Sequence, residues 1–129
     1  MIESGMTIFS NRFKIITEVD EKYNPYWSKL INHYLYDKNK KEIVGIAEIL
    51  IKKNPEIAYL GVLEIYEEYR GKGFGKLFME TIVAFYTKNY RLEWDSYSDS
   101  VGFYEKLGYT MTKDCESWAS TRFRVDSSC

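Results

Sequence analysis

The sequence predicts an α+β domain built on a mixed, mostly antiparallel sheet with flanking helices. Three observations carry that prediction. Two long apolar runs, "EIVGIAEILI" (residues 42–51) and "EIAYLGVLEIY" (56–66), meet at the turn "KKNPE" and read as a hairpin. A glycine-rich stretch, "YRGKGFGK" (69–76), leads from the second run into an amphipathic helix. Strand and helix patterns then alternate to the last residues.

Each element has its own signal. "RFKIITEV" (12–19) reads as a strand. The next stretch, "NPYWSKLINHYLYDKNKKE" (24–42), admits two readings. Asn24 as cap and Pro25 at the first helical position, followed by Tyr26, Trp27, Leu30, Ile31, Tyr34 and Leu35, fit a helix. An aromatic strand from Leu30 to Asp37 with a polar turn behind it fits a hairpin, and the position of that turn favours the strand. "EIVGIAEILI" is apolar on both alternating faces, which predicts a central strand buried on two sides. Pro55 breaks pairing before the next strand.

From Lys76 to Asn89 the apolar residues Leu77, Phe78, Ile82, Val83, Phe85 and Tyr86 form the stripe of an amphipathic helix. "RLEWDSY" (91–97) reads as a short strand, and "SVGFYEKLGY" (100–109) as a helix closed by Gly108 at C′. "GYTMT" (108–112) and "WASTRFRV" (118–125) read as final strands. The sequence has no internal repeat, low-complexity tract or linker, so residues 1–129 are expected to form a single domain.

Composition narrows the function. The 129 residues are 45% hydrophobic and 17% aromatic, enough for one real core. A formal net charge of -1 gives no general footprint for nucleic acid or an anionic membrane, although Arg70, Lys72 and Lys76 cluster locally. Cys115, Cys129 and the single His33 lack metal-ligand spacing, so no metal site is expected. Two cysteines give no disulfide framework, and neither an N-terminal apolar h-region nor a membrane-length apolar run occurs. A cytoplasmic protein is therefore expected.

Alternate glycines between a strand and a helix let backbone approach a ligand closely while N–H groups converge on it. The helix N-terminus and the neighbouring cations favour an anion there, as in a pyrophosphate cradle. Two common cradles are excluded. A dinucleotide G-x-G-x-x-G beginning at Gly71 meets Lys76 where glycine is required. A P-loop meets Arg70 in place of glycine and Leu77 in place of Ser or Thr.

The pattern present is R-x-x-G-x-G at Arg70, Gly73 and Gly75, after the strand "LEIYEEY". Here the sequence resembles the GNAT superfamily of acetyl-CoA-dependent N-acetyltransferases, whose cofactor motif is V-x-P-x-x-R-G-x-G-x-G, with Ile65 in the place of the valine. "VGFYEKLGY" (101–109) is similar to the family's A-x-x-F-Y-E-K-L-G-F helix and follows in the family's order. The resemblance covers Leu35 to Tyr109.

The resemblance implies an acyltransferase that uses acetyl-CoA. Its pantetheine arm would run between splayed strands against the backbone of Leu63, Glu64 and Ile65. Its pyrophosphate would sit on Gly71, Lys72, Gly73, Phe74, Gly75 and Lys76, beside Arg70. Tyr97 or Ser98 occupies the place of a family asparagine, and Ser98 either donates to the cofactor or caps the following helix. Tyr104 would protonate the departing thiolate, against the plainer reading of a core tyrosine sharing a face with Val101 and Leu107. For the general base the resemblance offers Glu93, while Glu48, Glu56, Glu64, His33 and a water relay stay open.

The family places two helices between its first two strands, but here only "DEKYNPYWSK" is available, so that region is expected to be reduced. An open acceptor side would suit a protein or peptide amine, with a small-molecule amine as the other class. No nucleic-acid or membrane partner is expected, and the aromatic N-terminal region is compatible with a homodimer. Three functions stay open at this point: an N-acetyltransferase, a catalytically inactive acyl-CoA-binding or protein-interaction module on the same scaffold, and an acetyltransferase acting on charged tRNA, which the near-neutral charge disfavours.

Overall fold

A computed structural model describes residues 2, 3, 6, 8, 10–21, 28–52, 56–96, 98–108 and 121–125. Among these residues seven strands run in one sheet whose spatial order follows the sequence: β1 (Ile2–Glu3), β2 (Phe13–Asp20), β3 (Lys29–Asp37), β4 (Glu42–Lys52), β5 (Ile57–Ile65), β6 (Arg91–Ser96) and β7 (Thr121–Val125). Neighbours pair antiparallel except β5 and β6, which are parallel. A parallel pair needs a crossover, supplied by α1 (Phe74–Tyr86). A second helix, α2 (Ser98–Lys106), connects onward from β6.

The sheet is mixed and mostly antiparallel, as the sequence predicts. The ambiguous aromatic stretch is a strand, Lys29–Asp37, while the helix alternative at Asn24 and the strand "GYTMT" fall outside the described residues. One expectation for β4 is corrected. Val44, Ala47, Ile49 and Ile51 are fully buried, but Ile46, Glu48 and Leu50 on the other face are half-buried among the described residues. The registers explain this, because Ile15, Leu35, Ala47, Leu63 and Leu92 all fall on one sheet face. That face carries the core.

Helix α1 covers that face. Phe74, Phe78, Met79, Ile82 and Tyr86 are buried along one stripe, and a side chain such as Ile82 contributes about 1.5–3 kcal/mol by leaving water. The helix begins two residues before the expected Lys76, because left-handed Gly73 already turns the chain. It ends at Tyr86 rather than Asn89, with Thr87 bonding back to the Val83 carbonyl through N–H and Oγ1. Phe85 leaves the expected stripe for the rim, 36% exposed, with its ring edge toward His33. The second helix ends as expected, with Gly108 at a φ of 93°.

Two polar groups are built into this core. Asp37, at the end of β3, accepts from Arg12 Nε and from a terminal guanidinium nitrogen at 3.0 and 2.7 Å. Its other oxygen accepts the Asn39 and Lys40 N–H groups and closes the β3–β4 turn. The Arg12 hydrogen bond is the main reason that the Asp37 carboxyl titrates below its ordinary range. His33 packs beneath α1, with Nδ1 2.8 Å from Thr17 Oγ1 and Nε2 2.5 Å from the Tyr86 hydroxyl.

Burial pushes the His33 pKa down to about 4, which keeps the ring neutral and makes it a packing residue rather than a base exposed to substrate. As pH falls below about 6.5, the unfolded chain takes up a proton at His33 that the folded chain refuses. Stability should therefore decrease as pH drops from 6.5 toward 4, by up to about 3 kcal/mol. Urea unfolding midpoints between pH 7 and 5 check this, and the His33→Gln variant should lose most of the slope in that window.

Candidate active site

β5 and β6 are bonded over three rungs, Ile57↔Arg91, Ala58↔Leu92 and Tyr59↔Glu93, and then part. A bulge in β5 sits beside the parting: Glu48 pairs with Val62 and Ile49 with Leu60, leaving Gly61 unpaired. Bulges bend and twist the strand that carries them. Beyond it, Tyr66 N–H bonds to the Val44 carbonyl at 2.9 Å. Alternation then turns Glu64 toward β4, and turns the N–H and C=O of Leu63 and Ile65 toward the open side of the fork. Arg70 Nε donates to the Ile65 carbonyl at 2.7 Å, in keeping with that direction.

At the end of β5 the chain enters the glycine turn. Gly71 and Gly73 have φ values of 78° and 81°, in the left-handed region that side chains resist. Gly73 is also the N-cap of α1, and no side chain caps the helix. No acidic residue lies in its first turn, so its first N–H groups and partial positive charge are presented to the cleft. A Cβ built on Gly75 would lie 3.5 Å from Phe103 Cζ and 3.7 Å from Ile65 Cγ1. The absence of a side chain there keeps the passage open.

Fork and turn enclose a cleft of about 530 Å³ lined by backbone and side chains from β5, the turn, α1 and α2. The turn is anchored from behind. The Tyr69 hydroxyl donates to Glu42, and Lys40 Nζ lies 5.1 Å from the centre of the Tyr69 ring. That hydrogen bond pushes the Tyr69 pKa up to about 12, so its phenol stays protonated. The Phe74 ring meets Phe13 edge-on at 4.8 Å, and the Arg12 guanidinium lies 5.1 Å from the Phe74 ring centre. The Arg12–Asp37 ion pair, buried on its carboxylate side, thus reaches the first residue of α1.

Of the residues expected from sequence, Leu63, Ile65, Arg70, Gly71, Gly73, Phe74, Gly75, Lys76 and Tyr104 line the cleft together. Glu64 is exposed on the other sheet face, and Lys72 is exposed outside the lining. Glu93 is also outside the lining, with Oε2 2.7 Å from Arg91 Nε on β6. Ser98 is the first residue of α2, and its side chain falls outside the described residues. Tyr104 is 9% exposed and packs against Trp94 with ring centres 5.4 Å apart, and burial raises its pKa. A phenol so placed is held protonated at the cleft.

Tyr69 and Phe103 also line the cleft and were not anticipated. The partner of Tyr69, Glu42, is remote in sequence and gives no local signal. Phe103 was legible in principle, as a large apolar residue, 40% exposed, directly beside Tyr104.

Two glycines should respond oppositely to alanine. Gly73→Ala forces a left-handed alanine and should cost about 1–2 kcal/mol of stability. Gly102→Ala lies in α2 with nothing within 4 Å of the added Cβ, and should raise stability by up to about 1 kcal/mol. Urea unfolding of both variants checks the pair.

Comparison with known proteins agrees with this geometry. No curated protein sequence matches the chain. Among solved structures, Arabidopsis thaliana Naa50 in complex with the bisubstrate analogue CoA-Ac-MVNAL is similar with a TM-score of 0.60 and 17% identity, over 74% of this chain and 72% of that one. The dodecameric spermidine N-acetyltransferase of Vibrio cholerae gives a TM-score of 0.66 at 17% identity, over 77% and 66%. A Thermus thermophilus acetyltransferase gives 0.62 at 22% identity, over 81% and 66%. At such identities these likenesses show the fold, and the chain spans about two-thirds of the latter two proteins. The family itself is shown by a match of the acetyltransferase (GNAT) family model to residues 6–109, and the chain belongs to that family of acyltransferases.

Proposed function

We propose that the protein transfers an acetyl group from acetyl-CoA to a primary amine. The observation that carries this reading is the meeting of a strand fork and a positive-φ glycine turn in one cleft, with Tyr104 on its wall. The residues fit CoA. The uncapped start of α1, with Arg70 and Lys76 beside it, suits a pyrophosphate, and the fork-facing amides of Leu63 and Ile65 suit an amide-bearing arm.

Acetyl-CoA supplies an activated acetyl thioester when bound. The fork-facing N–H groups donate to carbonyl oxygens lying in the fork and stabilise negative charge developing there. Phe103 and Ile65, close to Gly75, give the passage an apolar lining. The Tyr104 hydroxyl, kept protonated by burial, gives its proton to the leaving sulfur. Glu93 as base would work through a relay, since it is ion-paired outside the lining.

Two acceptor classes deserve direct test, because the similar structures include a spermidine acetyltransferase and a complex with a peptide-based analogue. Release of CoA thiol in the presence of spermidine or the peptide MVNAL measures turnover. Tyr104→Phe should lower kcat by about 10²–10⁴-fold while acetyl-CoA affinity is retained. Unchanged turnover removes the phenol from the mechanism. Acetyl-CoA binding without turnover of any amine by the wild type would replace the enzyme reading with that of an acyl-CoA-binding module.

A further inference from the structure

We propose that Asp95, held by Tyr59 where the strands part, takes the proton of the incoming ammonium. This inference rests on the amine-acetyltransferase reading. It starts from one hydrogen bond. Tyr59 belongs to the last rung between β5 and β6, and its hydroxyl donates to Asp95 Oδ2 at 2.6 Å. The bond therefore bridges the two strands at the base of the fork.

Alternation fixes the face. Ala58 and Leu60 are buried beneath α1, so Tyr59 between them faces the other way. Leu92 and Trp94 are likewise buried, so Glu93 and Asp95 share the face of Tyr59. The cleft, with Ile65, Phe103 and Tyr104, takes up the α1 side of the fork. An amine must reach the thioester carbonyl from a direction that the arm and leaving group do not occupy, and the Tyr59 side is such a direction.

The chemistry fits a carboxylate at that point. It attracts a primary ammonium and accepts its proton, and the Tyr59 bond fixes the carboxylate's orientation. Other charged groups on this face are Glu48 and Lys52 from β4, Glu64 from β5 and Arg91 and Glu93 from β6, while Arg122 of β7 occupies the rung beside Asp95. Tyr59 is a positioning residue.

The step balances. R–NH3+ gives one proton to the Asp95 carboxylate, and the neutral nitrogen forms a C–N bond to the acetyl carbon as the C–S bond breaks. Tyr104 gives its proton to sulfur and receives the second N–H proton, and Asp95 returns its proton to solvent. The products are the N-acetyl amine, the CoA thiol and one proton.

The experiment compares wild type, Asp95→Asn and Tyr59→Phe with acetyl-CoA and three probes: spermidine, the peptide MVNAL and hydroxylamine. Hydroxylamine is neutral at pH 7 and needs no base to free its lone pair. Asp95→Asn should lower kcat/KM for an ammonium probe by about 10²-fold or more at pH 7, with the deficit shrinking as pH rises toward the amine pKa. Hydroxylamine turnover and acetyl-CoA affinity should stay at wild-type values. Tyr59→Phe removes a donor from the carboxylate and should move the acidic limb of the kcat/KM profile to higher pH.

Equal losses for ammonium and hydroxylamine, or no loss in Asp95→Asn, would overturn the proposal. Should Asp95→Asn fail to fold, an unmoved acidic limb in Tyr59→Phe overturns it instead. A wild type that binds acetyl-CoA but acetylates none of the probes overturns the amine-transfer reading itself, a result distinct from undiminished turnover in Asp95→Asn.

Discussion

A parallel pair of strands that separates after three rungs leaves backbone N–H and C=O groups with no ladder partner, and the site depends on that separation. Gly61 marks the point of change. As the unpaired residue of a bulge, it bends β5 beside the end of the parallel ladder. A Cβ there would lie 3.0 Å from Glu48 Oε1, so a larger residue would have to displace that carboxylate. The amides of Leu63 and Ile65 are consequently aimed at a ligand rather than at a neighbouring strand.

The fork needs a rigid support, and the core supplies it from one side of the sheet. Helix α1 buries Phe78, Met79 and Ile82 completely, which fixes its axis against β5 and β6. Its first residue is tied separately, through Phe74 to Phe13 and Arg12 and from Arg12 to Asp37. Tyr69 ties the preceding turn to Glu42. The positive-φ glycines thus lie between two fixed points, an arrangement that holds N–H groups in place before a ligand arrives.

Much of this was legible in the sequence because it is local. Strand alternation in Phe13–Asp20, the helix after the glycines and the capping role of Gly108 each rest on residues close in the chain. The glycine turn that leads into α1 was legible for the same reason. What escaped depends on register and on distant partners. The anchor at Tyr69 needs Glu42, the Asp37 turn needs Arg12, and the Tyr59–Asp95 bridge needs a parallel pairing that no local pattern specifies. The half-exposed face of β4 escaped because an all-apolar strand reads as buried on both sides, whichever face the helices cover.

The central claim is that fork and glycine turn together form a CoA site. Thermal unfolding alone and with acetyl-CoA, free CoA, ATP and NAD tests it most directly. At about 100 times its dissociation constant a ligand adds about 2.7 kcal/mol of stability, enough to raise the midpoint clearly. Stabilisation by acetyl-CoA and CoA, but not by ATP or NAD, is the predicted result. No shift with any of the four would contradict the account and reduce "YRGKGFGK" to a turn between a strand and a helix.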